Sequence, residues 1–66
     1  MSGKSAWPEL LGVLATLAEN QIQVERPDVA VEVFPPGAPP TRDFNSARVR
    51  LFIDDNSLVI RIPVIG

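Results

Sequence analysis

The chain has 66 residues and a mass of 7.2 kDa, enough for one small domain (1–66) with a marginal core. A chain of this size buries only about 60% of the surface that its unfolded form exposes. It has no cysteine and no histidine, which excludes disulfides, zinc sites, thiol nucleophiles and Ser-His or Cys-His catalytic pairs.

Eight acidic against six basic residues give a net charge of −2 and a pI near 4.8, so no basic stripe for nucleic acid is expected. No apolar run approaches the ~20 residues of a membrane span. The start, Met1 to Ala6, lacks the apolar core of a signal peptide and is expected to be disordered. The chain therefore reads as soluble, with its compartment unspecified.

Trp7-Pro8-Glu9-Leu10-Leu11 opens the ordered region, and the lone tryptophan beside leucines reads as a core anchor. Gly12 breaks the run. From Leu14 to Arg26 there is no glycine or proline, and Leu14, Leu17, Ala18 and Ile22 share one helical face. Glu19, Asn20, Gln23 and Arg26 are polar, and Pro27 ends the segment by disfavouring helix in the residue before it. Thr16-x-x-Glu19 fits a capping box that would start the helix at Leu17, whereas the apolar spacing favours a start one turn earlier.

Val29 to Phe34 alternates with period two and is rich in β-branched residues, which predicts a strand. Arg48 to Ile53 alternates as cleanly, with Val49, Leu51 and Ile53 on one face and Arg48 and Arg50 on the other. Asp54-Asp55-Asn56-Ser57 is a turn cluster, too sparse in regularly spaced oxygens for calcium. Leu58 to Ile62 predicts a third strand, stopped by Pro63. One helix on a small mixed β-sheet is an α+β domain.

Between the first two strands lies a thirteen-residue connection, 35–47, with four prolines. Proline fixes φ and favours extended backbone, whereas a flexible linker would be rich in glycine and serine. The segment therefore looks built to hold Thr41-Arg42-Asp43-Phe44 outward. Three readings fit: a structural loop with solvated charges, a proline-rich peptide module, or a substrate-like loop offered to a protease. An exposed arginine on extended backbone is what a trypsin-like pocket binds. Five of the six bases are arginine, the residue suited to holding a fixed multi-donor geometry, and if the second strand runs back beneath the loop, Arg48 and Arg50 would lie under its carboxylate and carbonyls.

These residues carry a resemblance. Trp7-Pro8-Glu9-Leu10, Pro27, Thr41-Arg42-Asp43-Phe44 followed by Arg48-Val49-Arg50-Leu51-Phe52, and the ending Pro63-Val64-Ile65-Gly66 occur in the order of the potato inhibitor I family of serine protease inhibitors. The resemblance spans about nine-tenths of the chain. It implies a helix packed on a small mixed sheet, with a long exposed binding loop (35–47) joining two parallel strands. A parallel pair needs such a crossover.

The resemblance also implies an inhibitor, not an enzyme. Its reactive bond would be Arg42–Asp43, with subsite contacts at Pro39, Pro40, Thr41 and Phe44 and loop support from Arg48 and Arg50. The implied partner is a serine protease, trypsin-like first and subtilisin-like second, met by a monomer without metal or cofactor. Relatives of this kind include seed proteins and defence proteins induced by wounding. The alternative on the same fold is a non-inhibitory interaction module or a temporary protease substrate.

Three positions depart from the pattern. Pro40 removes a backbone donor two residues before Arg42, a hydrogen bond worth ~0.5–1.5 kcal/mol, while stiffening the loop. Asn45 stands where the best-known members carry an arginine, which is expected to remove one loop support. Leu14 replaces a helix-capping serine, at a cost of ~1 kcal/mol that Thr16 is expected to offset.

Overall fold

A computed structural model describes residues 4–39 and 43–66. Trp7 leads into a 3-10 turn, Pro8–Leu10, where proline suits the first helical position because it has no N–H to leave unsatisfied. Helix α1 follows at Ala15–Glu25, then strands β1 (Ala30–Phe34), β2 (Arg48–Phe52) and β3 (Val64–Ile65). The sheet order is β1-β2-β3, with β1 parallel and β3 antiparallel to β2. This is the expected α+β architecture, and residues 35–47 form the crossover between its parallel strands.

Trp7, Ile22, Val49 and Leu51 are fully buried, and Leu10, Ala15, Ala18, Val29 and Val59 complete the core. The helix differs in detail from its sequence pattern. It buries Ala15, Ala18 and Ile22, while Leu14 and Leu17 are exposed. The buried positions follow the same helical spacing, but the small alanines face the core and the bulky leucines flank it. Thr16 and Glu19 form no capping box. Leu14 is the N-cap, its side chain cannot cap, and the Ala15 amide donates instead to the Ser57 carbonyl at 2.8 Å. The C-terminus is as predicted: the helix stops at Glu25, and Arg26, held before Pro27, leaves helical backbone.

The predicted third strand at Leu58–Ile62 does not form. That stretch makes only isolated bridges, Leu14↔Leu58 and Ile53↔Val59, with Gly12 N–H donating to the Val59 carbonyl and Val59 N–H to the Val13 carbonyl. Val59 alone of this stretch is buried, so the segment is wedged between the helix entry and the end of β2 rather than laid along a ladder. Pro63, which has no N–H to donate, lies between this wedge and β3, and the pairing with β2 resumes beyond it. Pro63 is fully buried, and its carbonyl accepts the Trp7 amide at 2.9 Å.

Residues 1–3 of the stretch expected to be disordered lie outside the described residues, and residues 4–6 make contacts of their own. Ala6 bridges Val64, Ser5 accepts the Ile65 amide, and Arg26 Nη1 donates to the Lys4 carbonyl at 2.8 Å. Lys4 also pairs with Glu9 and with Glu25. Residues 4–6 are thus tied to β3 on one side and to the end of α1 on the other, their backbone supplying partners to both.

Candidate functional site: a loop carried on two arginines

The crossover leaves β1 through a tight turn. The Ala38 amide donates to the Pro35 carbonyl at 3.1 Å, with Pro36 and Gly37 between them. Gly37 has φ +81, a left-handed backbone that glycine adopts without strain, and proline pre-sets the position before it. The entry leg is therefore a proline-glycine turn rather than uniformly extended chain. Pro39 follows it, exposed. Pro40, Thr41 and Arg42, the expected specificity residue and two of the expected subsite contacts, lie outside the described residues.

Beyond them Asp43 sits directly over β2. Arg48 and Arg50 leave the strand on the same side, as alternation requires, and both reach this residue. Arg48 Nη2 donates to the Asp43 carbonyl at 3.0 Å and Arg50 Nη2 donates to the same oxygen at 2.5 Å. The guanidiniums also flank the carboxylate: Arg48 Nη1 lies 3.3 Å from Oδ2 and Arg50 Nη2 lies 3.3 Å from Oδ1. Charge-assisted bonds of this kind are roughly twice as strong as neutral ones. They are strengthened further by burial, since the arginine side chains are only 11% and 14% exposed while Asp43 is 64% exposed. The arginines behave as part of the scaffold, and the carboxylate as part of the surface.

Arg48 has two further partners. Its Nη2 donates to the Gly66 carbonyl at 2.6 Å, and its Nη1 lies 3.9 Å from Oε1 of Glu32, across the parallel pair on β1. Phe44 is 73% exposed, with its ring against Gly66, so it stands outward beside Asp43 instead of joining the core. Next to Arg50 along β2, Phe52 stacks on Phe34 at 5.0 Å between ring centroids, and the Arg61 guanidinium covers Phe52 at 4.8 Å. Phe34 is the last residue before the entry turn, so this stack fixes the base of the loop on the β1 side.

Asn45, where the resemblance implied a missing arginine, makes three bonds of another kind on the loop's return leg. Its amide donates to the Gly66 carbonyl at 2.9 Å, its Oδ1 accepts the Ala47 amide at 2.9 Å, and its carbonyl accepts the Arg48 amide at 3.1 Å. Asn followed by two small residues is a recognisable signal for a side-chain-closed turn. Gly66 and Glu32 carried no comparable local signal. They matter only because the sheet brings β3 and β1 to either side of Arg48.

Residues 1–66 match the family model described as the Potato inhibitor I family. The chain belongs to the potato inhibitor I family. Among curated relatives, it is 46% identical over 63 residues to "Subtilisin inhibitor 1" of Phaseolus angularis, covering 96% of this chain and 68% of that protein. It is 39% identical over 64 residues to "Inhibitor of trypsin and hageman factor" of Cucurbita maxima, covering 97% and 94%. Among solved structures, bitter gourd trypsin inhibitor matches with a TM-score of 0.92 at 38% identity, covering 97% of this chain and 94% of that one. The potato inhibitor I family is one of protease inhibitors, not enzymes, and the fold described above is the one its solved members share.

Proposed function

We infer that this chain inhibits serine proteases as a monomer, through a substrate-like loop whose reactive bond is Arg42–Asp43. The observation that carries this reading is the double anchorage of Asp43, whose carbonyl and carboxylate both rest on the guanidiniums of Arg48 and Arg50. The residue just after the proposed scissile bond is thereby held by the scaffold from below and leaves its outer face to solvent. Arg42 supplies the positive charge that a trypsin-like pocket recognises, and the exposed Phe44 ring is available for a subsite on the leaving-group side.

The inhibitory chemistry follows from rigidity. A loop already fixed on its scaffold loses little entropy on binding, so more of the contact energy appears as affinity. Tetrahedral distortion at the scissile carbonyl is resisted by the same restraints. If the bond is cut, the new amino group belongs to Asp43, which the two arginines keep beside the acyl group. Re-formation of the peptide bond then competes with hydrolysis, and turnover is slow. Trypsin-like enzymes are the expected first targets, and subtilisin-like enzymes a second class.

A titration of trypsin activity, run beside chymotrypsin and subtilisin and repeated with Arg42→Ala, tests this reading. Stoichiometric loss of trypsin activity that the variant does not produce is the expected result. Rapid cleavage after Arg42 with full recovery of trypsin activity would make the chain a temporary substrate and end the inhibitor reading.

A further inference from the structure

Arg48 reaches back over its own preceding chain to hold Asp43. The side chain of Arg48, the Asp43 carbonyl and the backbone from 43 to 48 close a ring, joined at the 3.0 Å bond from Nη2. The position of Asp43 over that guanidinium therefore depends on the conformation of the four residues between them. Residues 43–47 are exposed, so packing does not set that conformation. Hydrogen bonds from Asn45 do. Its Oδ1 holds the Ala47 amide, its carbonyl holds the Arg48 amide, and its own amide is tied to the Gly66 carbonyl, the oxygen that Arg48 Nη2 also grips at 2.6 Å.

We propose that Asn45 is a positioning residue for the reactive bond: its side-chain turn sets the distance between Asp43 and Arg48. The brace is local and needs only a short acceptor at position 45, so a carboxamide does the work without adding another cation to the loop. It acts through Arg48 and is not itself a contact of the scissile carbonyl. This inference rests on the proposed inhibitory role of the loop, and it names the residue that keeps the cut or uncut chain in register on Arg48.

Three variants separate the possibilities. Asn45→Ala removes the side-chain acceptor and leaves the backbone bonds available. Asn45→Asp keeps an acceptor at the same reach. Ile22→Val, in the core far from the loop, serves as a control for lowered stability alone. For each, the trypsin inhibition constant, the rate of cleavage at Arg42–Asp43 and the hydrogen exchange of the Ala47 and Arg48 amides are measured.

Loss of one hydrogen bond that orders the loop is expected to weaken inhibition by Asn45→Ala about tenfold, with faster cleavage and faster exchange at both amides. Asn45→Asp should restore all three, and Ile22→Val should lower the unfolding midpoint without moving any of them. The proposal is overturned if Asn45→Ala leaves inhibition and cleavage unchanged, or if Ile22→Val reproduces its effects. Should the wild-type chain fail to inhibit trypsin at all, the functional reading falls. The ratio of cleavage rates and the amide exchange would still decide the role of Asn45.

Discussion

The anchor of the loop is a division of labour between two arginines that look equivalent in sequence. Arg50 serves Asp43 through its carbonyl and carboxylate. Arg48 serves Asp43 as well, but it is buried, it binds the Gly66 carbonyl, and it lies near Glu32. Arg50→Ala should therefore act mainly on the loop, weakening trypsin inhibition about tenfold and speeding cleavage, with a small change in unfolding free energy. Arg48→Ala should do the same and also destabilise the fold by about 2 kcal/mol, because it strips a buried charge-assisted donor from Gly66 and leaves a space at the centre of the sheet. Urea unfolding alongside inhibition assays tests the split. Equal losses of stability in the two variants would contradict it. That both arginines share one face of β2 was legible from strand alternation. The unequal roles were not, because Gly66 and Glu32 become neighbours of Arg48 only through sheet pairing.

Among the elements, α1 shows where local signals mislead. Thr16 and Glu19 have the spacing of a capping box, and Leu14 and Leu17 have the bulk of core residues. Yet the helix starts at Ala15 and turns its alanines inward. Its first amide is satisfied from outside, by Ser57 in the turn after β2. That turn is itself well made. Asp54 Oδ1 accepts the Asn56 and Leu58 amides, and Ser57 takes a left-handed φ of 64. Replacing Thr16 with alanine should then change stability by no more than about 0.5 kcal/mol. Leu14→Ser should instead stabilise by about 1 kcal/mol, since Leu14 has the extended N-cap conformation and is half exposed. Chemical denaturation of both variants checks the pair, and a marked loss with Thr16→Ala would restore the capping box. The terminal strand is the second such case. Leu58–Ile62 has better strand composition than Val64–Ile65, but only the latter forms a ladder with β2, which the former meets at its end through the Ile60 amide and the Phe52 carbonyl.

At the scale of the whole molecule, a chain without disulfides is closed by polar ties between distant segments. Lys4 to Ala6 join the end of α1 to β3, and Arg26 sits at the junction. Arg26 also grips Asp28 in a two-pronged contact, Nε to Oδ1 at 2.9 Å and Nη2 to Oδ2 at 2.7 Å. That contact holds the Asp28 carboxyl down from its ordinary value of 3.8 to about 2. A carboxyl whose folded pKa is depressed contributes stability that is fully present above its unfolded pKa and is lost as pH falls through the folded one. The contribution of Asp28 is therefore complete above about pH 4 and disappears toward pH 2, and exposure to solvent keeps it small. Thermal unfolding midpoints measured from pH 2 to 7 should fall less steeply at the acid end for Asp28→Asn than for the wild type. Superimposable acid limbs would remove the Arg26–Asp28 pair from the stability of the fold.

The sequence by itself determined the parts governed by short-range rules. Period-two alternation gave β1 and β2 and put both arginines on one face, Arg26-Pro27 ended the helix, and the proline-rich stretch marked the long crossover. Trp7 beside leucines announced the core. Only the tertiary structure decided which apolar residues were buried in α1, which segment completed the sheet, what capped the helix, and how the Gly66 carbonyl ties Arg48 to the loop. The physical reason is common to all four. Each depends on which partner lies opposite, and an amide, a guanidinium or an alanine face is satisfied by whatever the fold brings within reach rather than by its neighbours along the chain.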